Sequence, residues 1–109
     1  MARDTTVNHD RRVLTYEEIE GALSAIAPHH DIARVSCFGS YAENRATSAS
    51  DLDLLIVFNN KEAKSLLDLI AFQLEVEDTL GLSVDVLHAP LPDNTLLKIT
   101  REVLLYEQP

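Results

Sequence analysis

Two aspartates, Asp51 and Asp53, stand at the start of an apolar stretch of this sequence. Because successive side chains of a β-strand alternate between its faces, the two carboxylates point the same way, roughly 6–7 Å apart along the backbone. Leu52, Leu54 and Ile56 then take the opposite face. Neighbouring carboxylates repel each other, and binding of a divalent cation relieves that repulsion. The spacing therefore predicts a metal site.

Asp85 is a further carboxylate in a strand-forming segment, between Val84 and Val86. If its strand is a neighbour of the strand that carries Asp51 and Asp53, all of these carboxylates converge. An all-oxygen ligand set suits Mg²⁺ or Mn²⁺. Two such ions, about 3.5–4 Å apart, would hold a triphosphate, activate an attacking hydroxyl and neutralise charge on the leaving pyrophosphate. The constellation indicates nucleotidyl transfer.

A Gly-Ser pair, Gly39 and Ser40, closes the strand-like segment that ends at Phe38. Glycine lets the backbone approach a phosphate closely, and the N–H groups of a following helical turn, with the Ser40 hydroxyl, donate hydrogen bonds to it. A Gly-Ser pair by itself is also a common plain turn. Its position between a strand and a helical turn, upstream of Asp51 and Asp53, indicates a phosphate-binding turn.

Apolar periodicity and capping residues place these side chains on a short series of elements. Thr15 and Glu18 form a capping-box pattern ahead of the first helix, and Gly81 stands where a left-handed C-terminal cap belongs. The predicted elements are a helix over 16–27, a strand over 32–38, a helical turn from 40, a strand over 51–58, a helix over 63–80, a strand over 83–87 and a helix over 96–105. This order predicts one two-layer α/β domain on a small sheet, residues 13–109, after a polar tail, residues 1–12.

Composition excludes several classes of protein. With 18 acidic and 9 basic residues the formal net charge is −9, which disfavours nucleic acid as a primary partner. No stretch approaches the roughly 20 apolar residues of a membrane span, and the first residues lack the apolar run of a secretory signal. The single cysteine, Cys37, cannot form an intramolecular disulfide. We therefore expect a cytoplasmic protein without membrane association.

Simpler explanations exist for each of these residues. Asp51 could cap a strand and Asp53 could lie on the surface, but their coincidence with Gly39 and Asp85 favours a metal site. Cys37 is expected to pack in the core, since nothing in the sequence lowers the pKa of its thiol. The histidines share no zinc-ligand spacing and are expected at the surface or in loops.

Several motifs make the chain resemble the minimal nucleotidyltransferases of the DNA polymerase β superfamily. They are Phe38-Gly39-Ser40-Tyr41-Ala42, Ala46-Thr47, Ser50-Asp51-Leu52-Asp53-Leu54 and Val84-Asp85-Val86. The resemblance spans nearly the whole chain. The helix around Ser65 to Leu69, the pair Leu80-Gly81, and the closing Arg101-Glu102 and Leu105-Tyr106-Glu107 are similar to the small subfamily encoded beside HEPN-domain toxins.

The resemblance implies a polymerase β palm-like fold, with a small mixed sheet and flanking helices, and a site for two Mg²⁺ ions and ATP as the nucleotide donor. Asp51 and Asp53 would be metal ligands. Asp85 would be the third ligand and the acceptor of the nucleophile's proton. Gly39 and Ser40 would hold the nucleotide's phosphates.

The resemblance also implies a partner. Family members of this size act as antitoxins, and some transfer AMP to a tyrosine of a HEPN ribonuclease. Larger relatives carry an extra helical domain for which 109 residues leave no room, so we expect the acceptor platform to come from another chain or a second copy. One alternative is an antitoxin that neutralises the ribonuclease by complex formation alone. Another is a free-standing small-molecule or RNA acceptor, which charge and size disfavour.

The sequence departs from the family at Glu43-Asn44, where relatives commonly have Arg-Gly. An acid near a triphosphate weakens binding by Coulomb repulsion, reduced by salt and by exposure. Arg45 is close enough in sequence to compensate. Because the aspartates are intact, we expect retained activity with weaker nucleotide binding.

Overall fold

The computed structural model of this chain describes residues 13–90, 99 and 101–109. In chain order, its elements are α1 (Tyr16–Ile26), β1 (Ile32–Phe38), α2 (Gly39–Ala42), β2 (Leu52–Phe58), α3 (Leu66–Leu80), β3 (Val84–His88) and β4 (Val103–Glu107). Short 3₁₀ turns, Ala27–His30 and Lys61–Ala63, follow α1 and precede α3. The predicted tail, residues 1–12, lies outside the described residues.

Local capping sets the helix ends. The Thr15 hydroxyl accepts a hydrogen bond from the Glu18 N–H at 3.1 Å, and the Thr15 N–H donates to Glu18 Oε1 at 2.8 Å, so the predicted capping box is confirmed. A second box, Ser65 with Asp68, starts α3 later than predicted. Gly81 ends α3 with a φ of +74°, the left-handed cap that the sequence indicates.

The described strands form a mixed sheet in the order β3-β2-β1-β4. β1 pairs antiparallel with both β2 and β4, while β2 and β3 are parallel and joined through α3. α1 and α3 contact each other and the sheet. The predicted two-layer α/β class with a small mixed sheet is therefore confirmed. Leu52, Leu54 and Ile56 are completely buried in the core, as their alternation with Asp53 predicts.

The prediction of a closing helix over 96–105 is wrong in its last part. Residues 91–98 and 100 lie outside the described residues, but Val103–Glu107 is the edge strand β4. Val103 pairs with Cys37, and Leu105 is buried while Leu104 is exposed. That alternation has the period of a strand, and pairing with the free edge of β1 decides the conformation.

No helix within residues 13–90 and 101–109 is both long enough and apolar enough to cross a bilayer.

Candidate active site

The parallel pairing of β2 and β3 places Asp53 directly opposite Asp85 in the register. The condition that the sequence left open, that the two strands are neighbours, is therefore met. Asp51 precedes the first residue of β2 and is exposed, as is Asp85, while Asp53 is half-buried. The fold thus brings Asp85 of β3 beside Asp53 of β2.

The electrostatics show that these carboxylates act on one another. Burial raises the pKa of Asp53 above its ordinary value, and the negative charges of Asp85 and then Asp51 raise it further. A carboxylate in this setting resists ionisation because it loses water and gains like-charged neighbours. A bound cation would oppose these effects, because its positive charge favours the ionised carboxylate and so lowers the pKa of Asp53.

A magnesium ion fits the donor chemistry of this group. Carboxylate oxygens are the ligands that Mg²⁺ prefers, and the mutual repulsion of the aspartates favours a divalent charge between them. Across the described ranges, 13–90 and 101–109, no three His, Cys, Asp or Glu side chains already form a cluster that could hold a metal ion. Asp51, Asp53 and Asp85 stay the predicted ligands of such an ion.

Gly39 touches this carboxylate group. Its φ of +71° lies in the left-handed region, and a Cβ added there would overlap Asp53 Oδ2 and lie 3.3 Å from Asp53 Cγ. Any side chain at Gly39 would therefore meet both backbone strain and the aspartate. Ser40 follows as the second residue of α2 and is half-buried. The turn and Asp53, separate in sequence, are therefore adjacent in the fold.

Two tyrosines hold α2 in place. Tyr41 is buried, and its hydroxyl accepts a hydrogen bond from the Leu14 N–H at 3.3 Å. The Tyr16 hydroxyl donates to the Tyr41 carbonyl at 2.7 Å, which satisfies a backbone group at the end of this short helix. Tyr41 packs, as predicted. The sequence carries no signal for the supporting role of Tyr16, because its partner Tyr41 is 25 positions away.

The loop after α2 accommodates the departure at Glu43-Asn44. Asn44 takes a φ of +57°, the left-handed conformation that a glycine would adopt easily and asparagine tolerates. Arg45 Nε donates to Glu43 Oε1 at 2.9 Å, and the Arg45 N–H donates to the Ser40 carbonyl at 3.0 Å. The arginine side chain is 64% exposed, so the ion pair adds little stability but screens the acid.

A cleft of about 450 Å³ borders the carboxylate group at Asp51. Its walls include Leu14, Tyr41, Ser50, Leu80 and Ser83. The volume suits a small organic ligand or a short peptide segment. Asp53, Asp85 and Gly39 do not line it, so the cleft is a neighbour of the carboxylate group and meets it only at Asp51.

The remaining reactive side chains take no part in this site. Cys37 is completely buried, and burial raises the pKa of its thiol to about 11, so it packs as predicted. His30 Nε2 lies within hydrogen-bond distance of Glu75 Oε1, at 2.7 Å, and His88 stacks on Phe58 at 5.4 Å between ring centroids. These contacts hold secondary elements together, and the histidines form no common centre among the described residues.

Opposed carboxylates and a glycine turn on a small mixed sheet define a site of the nucleotide-transferring class. The family described as nucleotidyltransferase domain matches residues 15–106, and the chain belongs to that family. The predicted family and the predicted class of enzyme are thereby confirmed.

Two proteins with similar sequences are both named as protein adenylyltransferases. The protein adenylyltransferase MntA of Thermococcus cleftensis is 35% identical over 97 residues, covering 84% of this chain and 96% of that protein. A candidate protein adenylyltransferase of Methanocaldococcus jannaschii is 43% identical over 74 residues, covering 68% of this chain and 77% of the relative.

Solved structures share the fold. A toxin–antitoxin complex with AMP-PNP contains a chain that superposes with a TM-score of 0.65 at 18% identity, covering 87% of this chain and 75% of that chain. A complex of tri-AMPylated Shewanella oneidensis HEPN toxin with its MNT antitoxin contains another, with a TM-score of 0.62 at 13% identity, covering 86% of this chain and 74% of that chain.

Proposed function

We propose that this chain is a Mg²⁺-dependent protein adenylyltransferase that transfers AMP from ATP to a tyrosine hydroxyl of a HEPN toxin, and so acts as its antitoxin. The observation that carries the proposal is the register of Asp53 opposite Asp85, with Gly39 in contact with Asp53. The relatives named as protein adenylyltransferases support the reaction. The toxin–antitoxin complexes with the same fold support the choice of partner.

Each residue of the site has a defined role in this proposal. Asp51, Asp53 and Asp85 would hold two Mg²⁺ ions, which when bound neutralise charge on the triphosphate. Gly39 and Ser40 contact the phosphates. The acceptor oxygen attacks the α-phosphorus, the bond to pyrophosphate breaks, and the hydroxyl proton passes to Asp85. The exposure of Asp85 supports this last role, because a hydroxyl from another molecule can reach it.

A protein is the acceptor that suits this surface best. The formal net charge of −9 opposes the approach of a nucleic acid backbone. The carboxylate group is open to solvent at Asp51 and Asp85, so a side chain presented by another protein meets no barrier. Both observations favour a tyrosine on a separate chain over an RNA end.

The direct test is transfer of labelled AMP. The chain, Mg²⁺, α-labelled ATP and a HEPN protein of the same organism are incubated, and the product is mapped by mass spectrometry. We expect a tyrosine of the HEPN protein to gain AMP, Asp53→Asn to abolish the gain, and the distant Glu107→Gln to preserve it. Absence of transfer, or equal transfer by Asp53→Asn, would refute the proposal.

The alternative is an antitoxin that acts by binding alone. It is favoured by Glu43, which places an acid in the loop after α2, although Arg45 pairs with that acid. A growth assay with co-expressed toxin separates the two functions. If Asp53→Asn and Asp85→Asn still rescue growth and still form the complex, occlusion explains neutralisation and transfer does not.

A further inference from the structure

Helix α3 exposes an apolar face that the sheet does not cover. Leu66, Leu67 and Leu74 are 70%, 76% and 57% exposed. On the other side of the same helix, Phe72 and Val76 are completely buried. The apolar repeat that predicts this helix therefore includes residues that face away from the core.

A helix that is apolar on both sides is typical of one covered on both sides. Leu67 and Leu74 are seven residues apart, so they share a face, and the exposed Ala71 lies between them on that face. Leu66 and the half-buried Ile70 extend it along one side. Exposed leucines so close together are a feature of protein interaction sites.

The charges around this face indicate what covers it. α3 contains no lysine or arginine, and its acids are Asp68, Glu75, Glu77 and Asp78. Two copies of a chain with net charge −9 would bring these acids together, which opposes self-association. A partner helix with leucines on one face and basic residues beside them would match both the apolar face and its acidic border.

Beyond this face, the C-terminal end of α3 reaches the site described above. Glu77 and Leu80, at the end of α3, line the cleft that Asp51 borders. Gly81 and Ser83 then lead directly into β3 and Asp85. A protein seated on α3 would therefore hold its neighbouring segment beside the carboxylates.

We propose that the outward face of α3, formed by Leu66, Leu67, Ile70, Ala71 and Leu74, docks a basic amphipathic helix of the protein that is adenylylated. The identity of that protein rests on the proposed function. The docking surface itself rests on the exposure and charge of α3. It recruits the acceptor and leaves ATP binding to the carboxylate group.

The first test replaces two leucines of this face. The double variant Leu67→Glu and Leu74→Glu is compared with the wild type and with Leu104→Glu, an exposed leucine on β4 at the far edge of the sheet. Binding of the purified HEPN protein is measured by titration calorimetry. We expect the double variant to bind at least about tenfold more weakly, because carboxylates buried against an apolar partner lose their water. Leu104→Glu should bind as the wild type does.

A second variant tests the charge. Asp78→Lys should weaken binding by about threefold or more at low salt, and the loss should shrink as salt rises. The reversal Glu107→Lys on β4 is its control. Asp78 is exposed on α3, so this variant reports on docking even if the leucine variant folds poorly. Mg²⁺-ATP binding should be equal in all of them.

Each other outcome has a definite meaning. If the double variant binds and adenylylates as the wild type does, the docking proposal is overturned and the proposed function stands. If the wild type binds through α3 but transfers no AMP, the proposed function fails and docking stands. A wild-type dimer that the leucine variant converts to a monomer would show that a second copy covers the face. A leucine variant that unfolds, with Asp78→Lys without effect, would show that the chain covers the face itself.

Discussion

A methyl group added at Gly39 should affect both the stability of the fold and the activity of the site, and a matched variant can distinguish the two effects. Gly39→Ala places a Cβ on top of Asp53 Oδ2, at a φ of +71°. Gly81→Ala is the matched control, because Gly81 has a φ of +74° but open space where the Cβ would lie. The two variants share the backbone strain and differ only in the contact with Asp53.

The two variants should lose similar stability. A left-handed alanine costs about 1–2 kcal/mol relative to glycine, which lowers the unfolding temperature of a domain of this size by roughly 4–16 °C. The extra contact at Gly39 is with the end of a flexible side chain, so Asp53 can rotate away at little additional cost. The movement removes Asp53 from its place opposite Asp85. This displacement should lower the rate of AMP transfer without further lowering the stability.

Activity should therefore distinguish them. AMP transfer to the HEPN protein should fall by about 100-fold or more in Gly39→Ala, since displacement of a reacting group by an ångström has effects of that size. Gly81→Ala should keep transfer within about threefold at a temperature where both are folded, because its added Cβ would meet no atom within 4 Å and would displace no carboxylate. Urea unfolding, calorimetric titration of Mg²⁺-ATP and a timed transfer assay measure these quantities. Equal activity in the two alanine variants would show that the space at Gly39 is not needed to place Asp53.

Three further outcomes are expected. Asp85→Asn should raise the metal-free unfolding temperature by roughly 1–8 °C, because it removes about 0.2–1 kcal/mol of screened repulsion from Asp53. AMP transfer should fall about 100-fold or more. A variant no more stable than the wild type would contradict the repulsion. Glu43→Arg should tighten Mg²⁺-ATP binding about three- to tenfold at low salt, with the gain lost at high salt, as calorimetry would show. Burial lowers the pKa of His88, so the unfolded chain takes up the proton first as pH falls. The contribution of His88 to stability should therefore be constant above about pH 6.5 and decrease below it, and urea unfolding of His88→Asn should show a smaller decrease over that lower range.

Features governed by neighbouring residues could be predicted from the sequence. The capping box of Thr15 and Glu18, the left-handed cap at Gly81 and the alternation of Asp53 with Leu52 and Leu54 all depend on contacts within a few positions. The family could be predicted for the same reason, because each motif is short and continuous. The conformation of Val103–Glu107 could not, since its apolar residues suit either a helix or a strand until the edge of β1 pairs with them.

Other features depend on residues far apart in the chain. The register that sets Asp85 opposite Asp53 follows from the parallel crossover through α3, which no local pattern specifies. The contact of Gly39 with Asp53 likewise exists only once β1, α2 and β2 have packed. The spacing of the leucines in α3 predicts a helix, but periodicity cannot say which apolar side the sheet will cover. The sequence by itself therefore determined which groups could do chemistry, and the tertiary structure decided which of them meet and which leucines remain outside, because both depend on long-range packing.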